Sequence, residues 1–344
     1  MPDVSLIRSE LLAWYDAHAR GLAWRAPPGS EQRTDPYRVW LSEVMLQQTT
    51  TPHATPYFLD FTARWPTVSD LAAAEDAEVM AAWAGLGYYA RARNLLACAR
   101  AVAGEHGGVF PDTEGALLAL PGVGAYTAAA VAAIAFDRAA NVVDGNVERV
   151  MARLFAVETP VPAARPELKR LAAQFVTDQR PGDWAQALMD LGATVCRPKS
   201  PLCGACPLSR DCLGLASGTP ERYPVKTKKA ERPHRHGVAW VMIDAEGRAA
   251  LERRPDKGLL GGMLGLPTSD WSVSPDLTPP LAADWRDAGA VEHVFTHFSL
   301  TLSVRVAHIQ EKGDYQWLGF EAARAALPTV FAKALDRAGE PALI

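Results

Sequence analysis

The sequence has no uninterrupted apolar stretch of the ~18 residues that a membrane-spanning helix needs. It also lacks a basic surplus: 35 Lys and Arg against 39 Asp and Glu leave a formal net charge of −4. Over residues 1–225 the count is 20 basic against 24 acidic. A polyanion would therefore have to be gripped by local clusters and backbone amides, not by a general positive field. Cysteine is scarce, five in 344 residues, which excludes a small disulfide scaffold. The first twenty residues carry Asp3, Arg8 and Glu10 among apolar neighbours. They read as an amphipathic helix and not as a secretory leader, so a cytoplasmic protein is expected.

What is present is an ordinary globular composition, 49% apolar and 22% charged, with length enough for two domains. Residues 1 to about 195 show apolar side chains at helical spacing, as in Leu6-Ile7-Leu11-Leu12-Trp14-Tyr15 and Val39-Trp40-Val44. Asp35-Pro36 offers an N-cap followed by proline at the first helical position. Ala125 to Phe136 is rich in alanine, a strong helix former. Residues 218–236 read as a linker with Arg222, Lys226, Lys228, Lys229, Arg232 and Arg235. Beyond it the period changes to two, in Leu300 to Val306, and Val238 to Ile243 is a β-rich run. The expected organisation is a helical domain over 1–217, a linker over 218–236 and an α+β domain over 237–344.

Glu43 lies in Pro36 to Thr49, a segment apolar nearly all round, with Val39, Trp40, Leu46 and Gln47 on its own face. A carboxyl group buried there would be desolvated, would hold its proton near neutral pH and would serve as a general acid. The alternative is a glutamate at the water-facing edge of the helix. Asp144-Gly145 precedes a new helical run, and Asp144 would cap it whether or not it does anything else. One protonated and one ionised carboxyl group are what acid-assisted cleavage of a glycosidic bond requires.

Leu120-Pro121-Gly122-Val123-Gly124 places two glycines between helical segments. Gly122 and Gly124 allow a tight turn, and the helix that follows offers free N–H groups to an anion such as a DNA phosphate. A plain glycine-capped turn is the other reading. Cys196, Cys203, Cys206 and Cys212 run C-x6-C-x2-C-x5-C. Thiolates at that density hold a metal, and one C-x2-C knuckle flanked by long gaps leans away from a zinc ribbon and toward a [4Fe–4S] cluster. Cys98 stands alone and reads as a core thiol.

Together these strings resemble the adenine-specific, MutY-type branch of the endonuclease III superfamily. Trp40 to Thr49 is similar to its acid-bearing helix, and Gly85 to Arg93 to its DNA-intercalating region. The glycine hairpin, Asp144-Gly145-Asn146-Val147 and the four cysteines follow in the family's order. The resemblance implies an all-α helix-hairpin-helix core with a [4Fe–4S] cluster and a Nudix-like α+β domain. It implies excision of adenine opposite 8-oxoguanine or guanine in duplex DNA, by one nucleoid-associated copy of the chain acting away from membranes. In that reading Glu43 protonates adenine and Asp144 stabilises the sugar cation, with Tyr126 and Asn146 assisting. Trp24, Arg25, Leu46 and Gln186 would line the adenine pocket. Gln48 and Tyr88 would wedge into the duplex, with Thr49, Leu86 and Gly87 also at the DNA. Phe295-Thr296-His297 would meet 8-oxoguanine, with threonine where the family has serine. No G-x5-E-x7-R-E-x2-E-E box occurs after residue 236, so pyrophosphate hydrolysis is not expected. The competing readings are an oxidised-pyrimidine glycosylase, whose hairpin lysine is replaced here by Tyr126, and a non-catalytic iron–sulfur DNA-binding protein.

Overall fold

Asp3, Asp35, Thr67, Thr113 and Asp144 each stand before an apolar run at helical spacing. Each becomes an N-cap whose side chain accepts backbone N–H groups. The computed structural model describes residues 3–30, 34–227, 232–255, 258–295, 297–310 and 313–339. Two units separate, Met1–Lys228 and Lys229–Ile344. Among the described residues no helix is long and apolar enough to cross a membrane.

The first unit is helical: α1 (Val4–His18), α2 (Pro36–Met45), α3 (Thr51–Arg64), α4 (Val68–Ala73), α5 (Asp76–Ala82), α6 (Tyr89–Glu105), α7 (Glu114–Leu118), α8 (Ala125–Phe136), α9 (Gly145–Leu154), α10 (Arg165–Ala173), α11 (Pro181–Asp190) and α12 (Leu213–Ala216). Alanine decides the position of α8. Its small side chains let α2, α7 and α11 approach on several sides, and Ala128 to Ala133 are all buried. Trp40, Leu41, Met45, Phe58, Phe61 and Trp83 build one core around it. Leu11, Tyr15, Met151, Leu168, Phe175 and Trp184 build a second, toward the cysteines. Each such side chain adds roughly 1.5–3 kcal/mol by leaving water.

Two boundaries differ from the sequence expectation. Helix α2 stops at Met45; the backbone after it turns, and Gln48 takes a left-handed φ of 62°. Of the segment read as linker, Tyr223 is buried in the helical unit and Val225 accepts from Val161 N, while His234 already begins a strand. Lys228, Lys229 and Glu231 lie outside the described residues.

The second unit holds β1 (His234–Ile243), β2 (Arg248–Arg253), β3 (Leu264–Gly265), β4 (Arg286–Val294), β5 (Ser299–His308) and β6 (Gln316–Gly319), then α13 (Phe320–Ala326) and α14 (Thr329–Ala338). The sheet order is β3-β2-β1-β5-β4, with β6 on β2. It is mixed, because β1 and β5 run parallel and the other pairs antiparallel. The period of two in β5 buries Leu300, Leu302, Val304 and Val306 in one cluster with Val330, Phe331, Ala334 and Leu335 of α14.

Candidate active site and cysteine centre

Glu43 is 7% exposed, in the middle of α2 among Trp40, Leu41, Val44 and Met45. That settles the choice left open by the sequence: it is not at the water-facing edge. Burial pushes its carboxyl group above the ordinary range, and the nearby Asp144 charge adds to this. Two groups oppose the shift, a hydrogen bond from Tyr126 and the charge of Arg25. The Tyr126 hydroxyl, carried on the first turn of α8, donates to Glu43 Oε2 at 2.7 Å and lies 3.4 Å from Met189 Sδ. Its own pKa is raised well above the ordinary phenol value, chiefly by burial, so it remains a neutral donor. Asp144 also acts electrostatically on both Glu43 and Tyr126.

Asp144 is the N-cap of α9. Its Oδ1 accepts from the N–H of Asn146 (2.9 Å) and of Val147 (2.8 Å), and its Oδ2 from Asn146 Nδ2 (2.8 Å). Cap and site residue are therefore one arrangement, not alternatives. Asn146 Oδ1 in turn accepts from Arg149 Nη2 (2.8 Å), whose Nε donates to the carbonyl of Cys196 (2.8 Å). Gly192 is needed here, because a Cβ would come within 2.6 Å of Asn146 Cβ.

Arg25 is anchored by Asp190, fully buried at the end of α11, which also pairs with Arg20. Gln186, one turn earlier, is buried with Oε1 unpartnered. Trp24 lies in the core around α8, and Leu46 packs against it. Of these four, Arg25 reaches Glu43 with its charge.

Gln48 and Tyr88 both line a cavity of about 250 Å³. Both hold left-handed backbones, at φ 62° and 52°, a strain of the kind that clusters at ligand-binding sites. Thr49 and Gly87 are half-buried nearby, whereas Leu86 is buried, its N–H donating to Trp83 O and its carbonyl accepting from Arg91 Nη2. Gly122 takes φ 70°, and a Cβ there would strike Asn94 at 2.6 Å. Gly124 is the N-cap of α8 without a side-chain cap, so the first N–H groups of α8 are left for an anion.

Cys196, Cys203, Cys206 and Cys212 line one cavity with Arg153, whose Nη1 lies 3.3 Å from Cys196 Sγ. Burial pushes the Cys206 thiol up to about 12, and the other three cysteines push the same way. Among the described residues no three His, Cys, Asp or Glu side chains close on a point that one metal ion could fill. Four thiol side chains around one shared cavity fit the donor set of an iron–sulfur cluster. Cys98 is buried in the α8 core, its thiol pushed up to about 12 by desolvation.

In the second unit Phe295 stacks on Trp271 (5.6 Å between centroids) and takes His293 edge-on (4.5 Å). His297 is exposed, and Thr296 lies outside the described residues. Trp271 escaped the sequence reading, as did Asp190 and Arg149. It has no motif around it; the only trace is Gly237, where a Cβ would meet Trp271 Cδ1 at 2.7 Å.

The model of the HhH-GPD superfamily of base excision DNA repair proteins matches residues 41–174, and that of the NUDIX domain matches residues 238–337. The chain is similar to the adenine DNA glycosylase of Homo sapiens, 36% identical over 365 residues covering 88% of this chain and 67% of that protein. It is 43% identical over 245 residues to the adenine DNA glycosylase of Mycolicibacterium smegmatis, covering 70% of this chain and 82% of that one. Among solved structures, a thermostable thymine-DNA glycosylase superposes with a TM-score of 0.55 at 29% identity, over 62% of this chain and 97% of its own.

Proposed function

Because the chain belongs to the adenine DNA glycosylase family of base excision repair, we propose that it excises adenine paired with 8-oxoguanine, and with guanine, by acid-assisted cleavage of the N-glycosidic bond. The observation that carries the mechanism is the Tyr126–Glu43 hydrogen bond at 2.7 Å, inside a site that also contains the charge of Asp144. With Tyr126 donating to Oε2, the acidic proton of Glu43 is left on Oε1, free to pass to N7 of a flipped adenine. Protonation makes the base a better leaving group; the C1′–N9 bond then breaks with its electron pair going to adenine, and the positive charge passes to the sugar. Asp144, held by three N–H donors, faces that charge. Water completes the hydrolysis. A phenol at position 126 cannot form a Schiff base, so the reaction stops at base removal and the strand is not cut.

Trp24, Arg25, Leu46 and Gln186 line the adenine pocket in this reading, and the unpartnered Gln186 Oε1 suits the exocyclic amino group of adenine. Gln48, Thr49, Leu86, Gly87 and Tyr88 enter the duplex, Gly122 and Gly124 hold a phosphate of the adenine strand, and Phe295, Thr296 and His297 read 8-oxoguanine. Cys196, Cys203, Cys206 and Cys212 would hold a [4Fe–4S] cluster, which supplies a structural cross-link for the loop between α11 and α12. The chain acts as a monomer in the cytoplasm. The test is a duplex with one A:8-oxoG pair, heated in alkali after incubation. Glu43→Gln is expected to lose about 10²- to 10⁴-fold in single-turnover rate. Release of adenine by Glu43→Gln at the wild-type rate would remove Glu43 as the acid.

A further inference from the structure

Arg91, in the first turn of α6, is 9% exposed. Its Nη2 donates to the Leu86 carbonyl at 3.3 Å, but Nε and Nη1 are buried without a partner. The guanidinium lies 5.2 Å from the Trp83 ring and 5.7 Å from that of Tyr88. Two aromatic faces ease the charge but accept none of the remaining N–H groups in the plane of the guanidinium. A buried cation in this condition calls for an oxygen acceptor. Arg91 lines the 250 Å³ cavity together with Trp40, Gln48, Tyr88, Asn94 and Gly122, and the Trp40 indole N–H is also unpartnered.

The helix that carries Arg91 makes the same demand independently. Helix α6 is 17 residues long, Tyr88 at its N-cap provides no side-chain cap, and its first turn contains no acidic residue. The Arg91 N–H turns back to Tyr88 O (2.7 Å), but the N–H groups of Tyr89 and Ala90 have no partner within the helix, and its positive end has no acidic side chain in the first turn. In the loop before it, four consecutive carbonyls are each taken by a different side chain. Tyr57 Oη donates to Ala84 O (3.0 Å), His53 Nε2 to Gly85 O (3.3 Å), Arg91 Nη2 to Leu86 O, and Trp83 Nε1 to Gly87 O (2.9 Å). Within the segment the N–H groups of Ala84 and Leu86 are taken by Ala81 O and Trp83 O, so the donors left to offer a ligand are those of Gly85, Gly87, Tyr88, Tyr89 and Ala90.

We propose that the N-terminus of α6 and the Arg91 guanidinium form a second phosphate site, beside the Gly122–Gly124 hairpin, whose Gly122 lines the same cavity. It takes one phosphodiester of the bound duplex beside the point where Gln48 and Tyr88 enter. This rests on the reading of the chain as a DNA glycosylase. Charge-assisted N–H bonds to phosphate from a buried arginine and a helix end are stronger than neutral ones and carry no base preference. They would fix the strand against which the wedge pushes. The low overall basicity of the chain is consistent with this economy: a few buried donors replace a basic surface.

The test uses a duplex whose target is 2′-fluoro-2′-deoxyadenosine, which resists cleavage because fluorine destabilises the sugar cation. A single neutral methylphosphonate is placed in turn at each phosphate within three nucleotides of the mispair on both strands, and binding is measured. Wild type is expected to show two sensitive phosphates, each costing about tenfold in affinity. In Arg91→Met one penalty shrinks to within about twofold while the other remains, and the slope of log K against log salt falls by about one. Arg91→Lys keeps part of the penalty. Equal penalties in wild type and Arg91→Met would overturn the proposal. So would a single sensitive phosphate in wild type, a result that needs no variant to fold. Adenine release by wild type from the unmodified duplex reports separately on the glycosylase reading.

Discussion

Glu43 sits in the middle of a buried helix and is reached by one donor, Tyr126; Asp144 begins a helix and accepts three N–H groups. The same functional group is thus placed where solvation is removed in one case and replaced by fixed donors in the other. Desolvation favours the neutral form of Glu43. The fold obtains this contrast cheaply. Helix α2 contributes its interior, α9 contributes its N-terminus, and α8 presents Tyr126 to Glu43. In the proposed reaction this one backbone geometry would separate an acid from a counter-charge.

The contrast is broken most strongly at Asp144. Asparagine caps helices about as well as aspartate but carries no charge. Asp144→Asn should therefore keep thermal stability within a few tenths of a kcal/mol while single-turnover adenine release falls by about 10³-fold. Asp144→Ala should lose the same activity and about 1 kcal/mol of stability as well. Equal melting curves for the Asn and Ala variants would mean that the cap does not contribute to folding. Full activity in Asp144→Asn would mean that the charge does not contribute to the reaction.

A smaller effect sharpens the other half. The hydrogen bond from Tyr126 lowers the pKa of Glu43 against the larger upward push of burial. Removing it in Tyr126→Phe should let the pKa rise further. Adenine release requires the protonated acid and falls as pH rises through that value, so the alkaline limb of the rate profile should move to higher pH. The rate at its optimum should drop by about tenfold, because the orienting contact is lost. A limb that moves to lower pH, or stays in place, would show that the phenol is not the group holding Oε2.

Much of this was legible in the residues, and the failures have physical reasons. The start of α2 could be read from Asp35-Pro36, and the burial of Glu43 from its apolar neighbours, because both are local. The end of α2 could not: Leu46 to Thr49 continue the pattern, yet Gln48 adopts a left-handed backbone that no periodicity encodes. Asp144 was legible as a cap, but its proximity to Tyr126 and Glu43 depends on how α2, α8 and α9 pack, and entered only through resemblance. The four side chains that take the carbonyls of 84–87 come from His53, Tyr57, Trp83 and Arg91. Neither spacing nor composition marks His53 or Tyr57 as neighbours of that loop. Trp271 is likewise visible only once β1 and the segment after β3 are side by side.

The smallest effect concerns stability and follows from the sign of the Glu43 shift. A carboxyl group whose pKa is raised on folding binds its proton more tightly in the native state than in the unfolded chain. Its contribution is full below the ordinary carboxylate range and is lost as pH rises through the raised value. Above that value wild type either carries a buried charge or takes up a proton on folding, and both cost free energy. Glutamine has the same shape, can still accept from Tyr126 and never ionises. Glu43→Gln should therefore melt close to wild type at pH 4 and roughly 2–4 °C higher at pH 8, the difference growing with pH. A Glu43→Gln advantage that shrinks as pH rises would place the charged form, not the acid, as the state that the fold prefers at position 43, and would reverse the assignment of the two carboxyl groups.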